Sequence, residues 1–319
     1  MLDELVDLIT QEHRAQIALL VSRNQSIIDG WTRKARKLKW ADHPGHDLHD
    51  KIVAAYVPKL IAAFTDNVTG IDAAIRSMQQ VTTVKGISIE LVKDSGVDPS
   101  ETLNAVRQNV KISTTQATAA LQAIYGEAYL AGSYVAAQTI GHGAAVLQGL
   151  EDAESSINWS SWTPGWAEAA DLVSDGGLQS LLDSAGLTIQ GITDSIFTRL
   201  GNALADGLAS GAPVDNISDS MNSIIMDPDR AQVIATTETA RAMSQATLNT
   251  YDQNGIDQWE WLTEDDPCPD CEDNADNGPY DVGDGGAPTV PEHPNCRCVV
   301  IPVVNVPDDE DADTGDEGE

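Results

Sequence analysis

The chemistry this chain offers is concentrated in its last sixty residues, which hold all four cysteines: Cys268-Pro-Asp-Cys271, then His293-Pro-Asn-Cys296-Arg-Cys298. A Cys-x-x-Cys turn points two sulfurs at one place, and a second pair arriving from a neighbouring strand completes a tetrahedron, with His293 as a fifth donor. Cys268, Cys271, Cys296, Cys298 and His293 are therefore the candidate ligands of a structural zinc. The second pair is Cys-x-Cys rather than Cys-x-x-Cys, and disulfides or reduced thiols packed in a small core stand as the alternatives. A nucleophilic cysteine would need a base, and only His293 is near in sequence, so no catalytic residue is assigned. The run Asp273-Asn-Ala-Asp-Asn-Gly278 resembles a calcium loop but puts Ala275 where a ligand oxygen is needed. No phosphate-binding loop, dinucleotide fingerprint or His-Glu-x-x-His is present.

Two strands must position these ligands. Trp259 and Trp261 alternate with polar neighbours over 256–262, and 298–304 is a β-branched run whose Pro302 marks an edge or an end. Between them lies a loop rich in Asp, Asn, Gly and Pro. Its ordering entropy, about 1 kcal/mol or more per residue, calls for a cross-link. Upstream the period is helical. A helix opened by Asp227-Pro228 runs to Asn254, where Gly255 stops it. Helices are also expected over 167–173, 177–185, 187–210 and 215–225.

In the first half, helices are expected over 3–39, 47–65 (with Pro58 inside), 71–80, 101–112 and 114–150. The last carries Leu121, Ile124, Ala128, Ala131 and Val135 at spacings of three and four, a face that suits a partner helix as well as its own chain and is expected to contact another subunit or the portal. His142, between two glycines, reads as a turn residue. Trp159, Trp162 and Trp166 interrupt the helical rhythm in a linker over 151–175. The fold class is mainly α: an elongated helical region over 1–150, a helical middle, and a small α+β module with a two-stranded Cys-knuckle hairpin within 176–305. An acidic tail over 306–319 follows, disordered by composition. Aromatics are 5% of the 319 residues, with two Phe, so the core must be mostly Ala, Leu, Ile and Val, which suits packed helices.

Eighteen basic residues against fifty acidic ones give a net charge of -32, which opposes phosphate-backbone binding over most of the surface. The imbalance falls entirely after Lys111, where only Arg199, Arg230, Arg241 and Arg297 are basic, so each is expected to be paired or structural. Such a surface fits a high-salt environment, or a solubilising or DNA-repelling role. The exception is the basic run Arg33, Lys34, Arg36, Lys37 and Lys39, a candidate contact for DNA or an acidic partner, or else a solvated helix end. No run of eighteen apolar residues exists and the first residues are acidic, so the chain reads as soluble, not membrane-bound and made in the cytoplasm.

Taken in order, Arg230-Ala-Gln-Val-Ile-Ala-Thr-Thr-Glu238-Thr-Ala-Arg241, Tyr251 to Gly255, Trp259 to Trp261, Cys268-x-x-Cys271 and His293-Pro-Asn-Cys-Arg-Cys298 resemble the minor head protein family typified by the F protein of bacteriophage Mu. The resemblance covers roughly 180–304. It implies a virion component in the capsid interior near the portal, present in few copies, assisting head assembly or genome delivery. The implied partners are the portal protein and the major capsid protein, with packaged DNA touched weakly if at all. It also gives a role to Glu238 and Arg241, an ion pair that ties its helix to the strand-loop module, where an exposed pair would contribute only a few tenths of a kcal/mol. A head-maturation protease is the alternative, and a nucleic-acid-binding zinc protein fits the charge worst.

Overall fold

Helix caps and apolar stripes decide most of the architecture. The computed structural model describes residues 43, 45–65, 68–84, 98–140 and 176–303. The helix expected over 3–39, its basic run, His142, the three tryptophans of the linker and the acidic tail lie outside these residues. Helix α1 (Gly45–Thr65) buries Leu48, Ile52, Tyr56, Leu60 and Phe64 on one stripe. A short strand β1 (Val68–Thr69) pairs antiparallel with β2 (Lys111–Ile112), bracketing α2 (Ile71–Val84) and α3 (Pro99–Asn109). Asp98 caps α3, its Oδ1 accepting from the Ser100 N–H at 2.8 Å, with Pro99 in the first turn. Helix α4 (Thr115–Thr139) follows.

The second half begins with α5 (Gly176–Ser210), 35 residues long. Sequence alone divides it at Gly186, but the helix continues. A mid-helix glycine costs only about 1 kcal/mol, and an in-phase stripe of Leu178, Leu181, Ala185, Ile189, Ile196, Leu200 and Leu204 lies buried on both sides of it. Then come α6 (Val214–Ile225) and α7 (Pro228–Gln253), whose cap Asp227 accepts from the Arg230 N–H at 3.3 Å.

Helix α4 packs on α7, α1 packs on both, and α3 and α6 pack on α5. Helices from before and after 141–175 thus share one core. The stripe of α4 expected to contact another subunit or the portal is instead interior: Leu121, Ile124, Ala128, Ala131 and Val135 are at most 2% exposed and belong to that core. The physical reason is α7, whose Ala231, Ala235, Ala242 and Ala246 present a low surface onto which an Ala-rich stripe fits closely. No described helix is long and apolar enough to cross a membrane.

The C-terminal module has a second core, in which Ala136, Ile140 and Tyr251 from the helix ends meet Trp259, Trp261, Val290, Val300 and three cysteines. Its sheet has three strands where two are expected, in the order β4 (Tyr280–Asp281), β3 (Gln258–Leu262), β5 (Val299–Val303), all antiparallel. Trp259 faces Tyr280 on one side and Pro302 on the other, and Trp261 faces Val300. Pro302, with no N–H to donate, stands on an edge strand. A helix absent from the sequence reading, α8 (Pro269–Asp276), forms inside the loop.

Candidate metal centre

The Cys-x-x-Cys turn is the first turn of α8. Cys268 is its cap, with the Cys271 N–H 3.4 Å from the Cys268 sulfur, and Pro269 takes the first helical position. The other donors come from the approach to β5, where a turn closed by the Cys296 N–H on the His293 carbonyl at 3.1 Å leads into Cys298 beside the strand. His293 Nε2 lies 3.2 Å from Cys268 Sγ and 3.4 Å from Cys271 Sγ, and Cys271 Sγ lies 3.8 Å from Cys296 Sγ. The ligand atoms form two groups, Cys268, Cys271 and His293, and Cys271, Cys296 and Cys298, each within 4.8 Å and sharing Cys271. The five expected donors thus fall in two overlapping trios joined at Cys271, and the four cysteines are free thiols.

These spacings suit a tetrahedral thiophilic cation. With metal–sulfur bonds of about 2.3 Å and metal–nitrogen bonds of about 2.0 Å, the edges of a tetrahedron are about 3.8 Å between sulfurs and about 3.5 Å between sulfur and nitrogen. The histidine is oriented for ligation as well. Its Nδ1 lies 2.9 Å from the Pro294 carbonyl oxygen, which requires the proton on Nδ1 and leaves the Nε2 lone pair turned to the sulfurs.

Electrostatics point the same way. The Cys271 N–H holds the Cys268 thiol below its ordinary pKa, and burial pushes Cys271 up to about 12. The Cys298 thiol donates to Cys296, bringing Cys296 down to about 5 and raising Cys298. His293 is raised, first by its bond to the Pro294 carbonyl. Sulfurs this close share protons because they cannot all be thiolates, and a dication in their midst removes that conflict and releases the protons. The buried Trp261 Nε1–H has no partner at ordinary hydrogen-bond length among the described residues and lowers the Cys298 pKa. It is an indole donor placed for a thiolate. The residues fit a metal ion held by soft donors. A bound ion would join the turn of α8 to the start of β5 and supply cross-linking rather than reaction chemistry.

Glu238 and Arg241 form an ion pair at 3.1 Å on α7. Glu238 is buried, and its Oε2 also accepts from Tyr125 Oη on α4 at 2.7 Å. The pair thus joins α7 to α4, a partner the sequence reading missed, since nothing near Glu238 in sequence signals Tyr125. The same motif recurs where Tyr56 Oη on α1 donates to Glu127 on α4 at 2.9 Å. The remaining three late arginines are engaged too: Arg199 with Asp227 at 3.0 Å, Arg230 with the Ile192 carbonyl at 2.8 Å, and Arg297 with Asp50.

Compared with known families, residues 198–301 match the family model of Phage Mu protein F like protein. The match runs from the last third of α5 into β5 and contains all five donors, Glu238 and Arg241. Comparisons with curated proteins and with solved structures give no match.

Proposed function

We propose, starting from a stretch over 198–301 that is Phage Mu protein F like, that this protein is a structural component of a phage head, associated with the portal and assisting head assembly or genome delivery. The observation that carries the reading is that match itself, which takes in the Cys/His cluster of the C-terminal module and α7, on which the module packs. Among the described residues, the four late arginines are engaged in ion pairs and carbonyl bonds, and the Cys and His donors converge where a cross-link is needed.

The ion is zinc. Its preference for tetrahedral sulfur and nitrogen ligands matches the donor set, and cysteine thiols in a reducing cytoplasm are available to it. Four of the five donors Cys268, Cys271, His293, Cys296 and Cys298 supply the ligands at any one time. The anionic second half faces packaged DNA without binding it, a repulsion that decays over about 10 Å at 0.1 M salt. Arg33, Lys34, Arg36, Lys37 and Lys39 make whatever contact occurs with DNA or an acidic partner.

A mass-spectrometric inventory of purified particles tests the function. The protein is expected in low copy number, co-purifying with the portal protein after the shell is disrupted. Particles that lack it, or cleavage of the major capsid protein on incubation with it, overturn the reading.

A further inference from the structure

The loop that carries three of the donors has a second edge. Between His293, Cys296 and Cys298 stand Asn295 and Arg297, and they are held from outside the module. The Asn295 N–H donates to Thr237 Oγ1 on α7 at 2.9 Å. The Arg297 guanidinium donates to Asp50 Oδ1 on α1 and lies 3.4 Å from His46 Nε2 on the same helix. Asp50 is in turn 3.3 Å from His49 Nδ1, and His49 Nε2 is 3.2 Å from the Thr236 carbonyl oxygen of α7. The grip on the loop is therefore built across two helices that are themselves joined.

Two features give this grip a role at the ligands. In extended chain successive side chains point to opposite sides, so that Cys296 and Cys298 can face the cluster only if Arg297 faces away from it. Asn295 also holds φ at +65°, a left-handed conformation that asparagine tolerates better than other non-glycine residues and that turns the chain between His293 and Cys296. The bond to Thr237 is made by the backbone of this turn residue itself and so holds the turn from outside.

We infer that Asp50 and Thr237 are positioning residues of the metal centre: gripping the loop from outside, they preset His293, Cys296 and Cys298 for ligation, so that ion binding and docking of the module on α1 and α7 are linked. The inference rests on the zinc reading of the cluster. Linkage is reciprocal: whatever factor the docked loop adds to ion affinity, the bound ion adds to docking. Outer residues that orient ligands typically change metal affinity by about 10- to 100-fold, though they touch no metal.

The test measures zinc affinity of the full-length chain by competition with a chromophoric chelator. Asp50→Ala and Thr237→Val are each expected to weaken zinc about tenfold. Asp50→Glu and Thr237→Ser, which keep the acceptors, should recover most of the loss. Hydrogen exchange supplies the reciprocal readout: amides of 45–52 and 233–240 should slow when zinc is added to the wild type and not when it is added to Cys271→Ser. If the variants only lower the melting temperature and leave affinity unchanged, the two residues are merely structural and the inference is overturned. If the wild type takes up no zinc at all, the zinc reading fails, and the inference with it.

Discussion

Gly132 on α4 lies against the backbone of Met243 on α7, so closely that a Cβ at 132 would come within 2.4 Å of the Met243 carbonyl oxygen and 2.7 Å of its Cα. Thr247 Oγ1 reaches the Gly132 carbonyl at 3.3 Å in the same contact. Alanine would add about 1 kcal/mol of helix propensity at 132, but backbone cannot move aside as a side-chain tip can, and overpacking costs about 1 to 3 kcal/mol or more. Gly132→Ala is therefore expected to lose about 1 kcal/mol or more of stability in denaturant unfolding. A variant as stable as the wild type would show that the two helices can part freely.

Glu238 is expected to matter through Tyr125 more than through Arg241. Its side chain is 8% exposed against 45% for Arg241, so the ion pair is screened by solvent on one side. Glu238→Ala strands a buried tyrosine hydroxyl and should cost about 2 kcal/mol, while Arg241→Ala should cost below about 0.5 kcal/mol. A double-mutant cycle of Glu238→Ala with Tyr125→Phe checks this, and a coupling energy near zero contradicts it.

His43 gives the fold an acid limb. It is buried, its Nδ1 accepts from the Gly45 N–H at 3.2 Å at the start of α1, and burial lowers its pKa to about 4. The unfolded chain takes up a proton near pH 6.5, before the folded one does, so stability is unaffected above pH 6.5. It falls from there to about pH 4, by up to about 3 kcal/mol in total. His43→Asn, which can still cap, should flatten this limb by close to one proton's worth, about 1.4 kcal/mol per pH unit. Parallel wild-type and variant curves between pH 6 and 4.5 would refute the assignment.

Zinc removal should loosen the module before the helices. Protein purified without chelator is expected to carry one equivalent, with its thiols protected from titration. Chelation should free all four and speed exchange over 258–303, because the ion's binding energy is folding energy there. Less than about half an equivalent, with four thiols titrating in the native protein, rules the site out.

What the sequence determined by itself is local. Asp227-Pro228 announces a helix start because a cap bonds N–H groups only two or three residues on. Trp259 and Trp261 announce a half-buried strand because pleat and period are one property. The Cys-x-x-Cys turn and the motif after it were legible for the same reason, as was the mainly helical class. Only tertiary structure could decide what each face would meet. The apolar stripe of α4 is compatible with any partner of matching shape, and α7 of the same chain takes it. Tyr125 and Glu238 stand 113 residues apart, and Asp50 and Arg297 stand 247 apart, with no pattern in either stretch to link them. The continuity of α5 through Gly186 and the third strand at Tyr280 were settled in the same way, because the helix propensity lost at one glycine and the pairing of two residues are small against the burial around them.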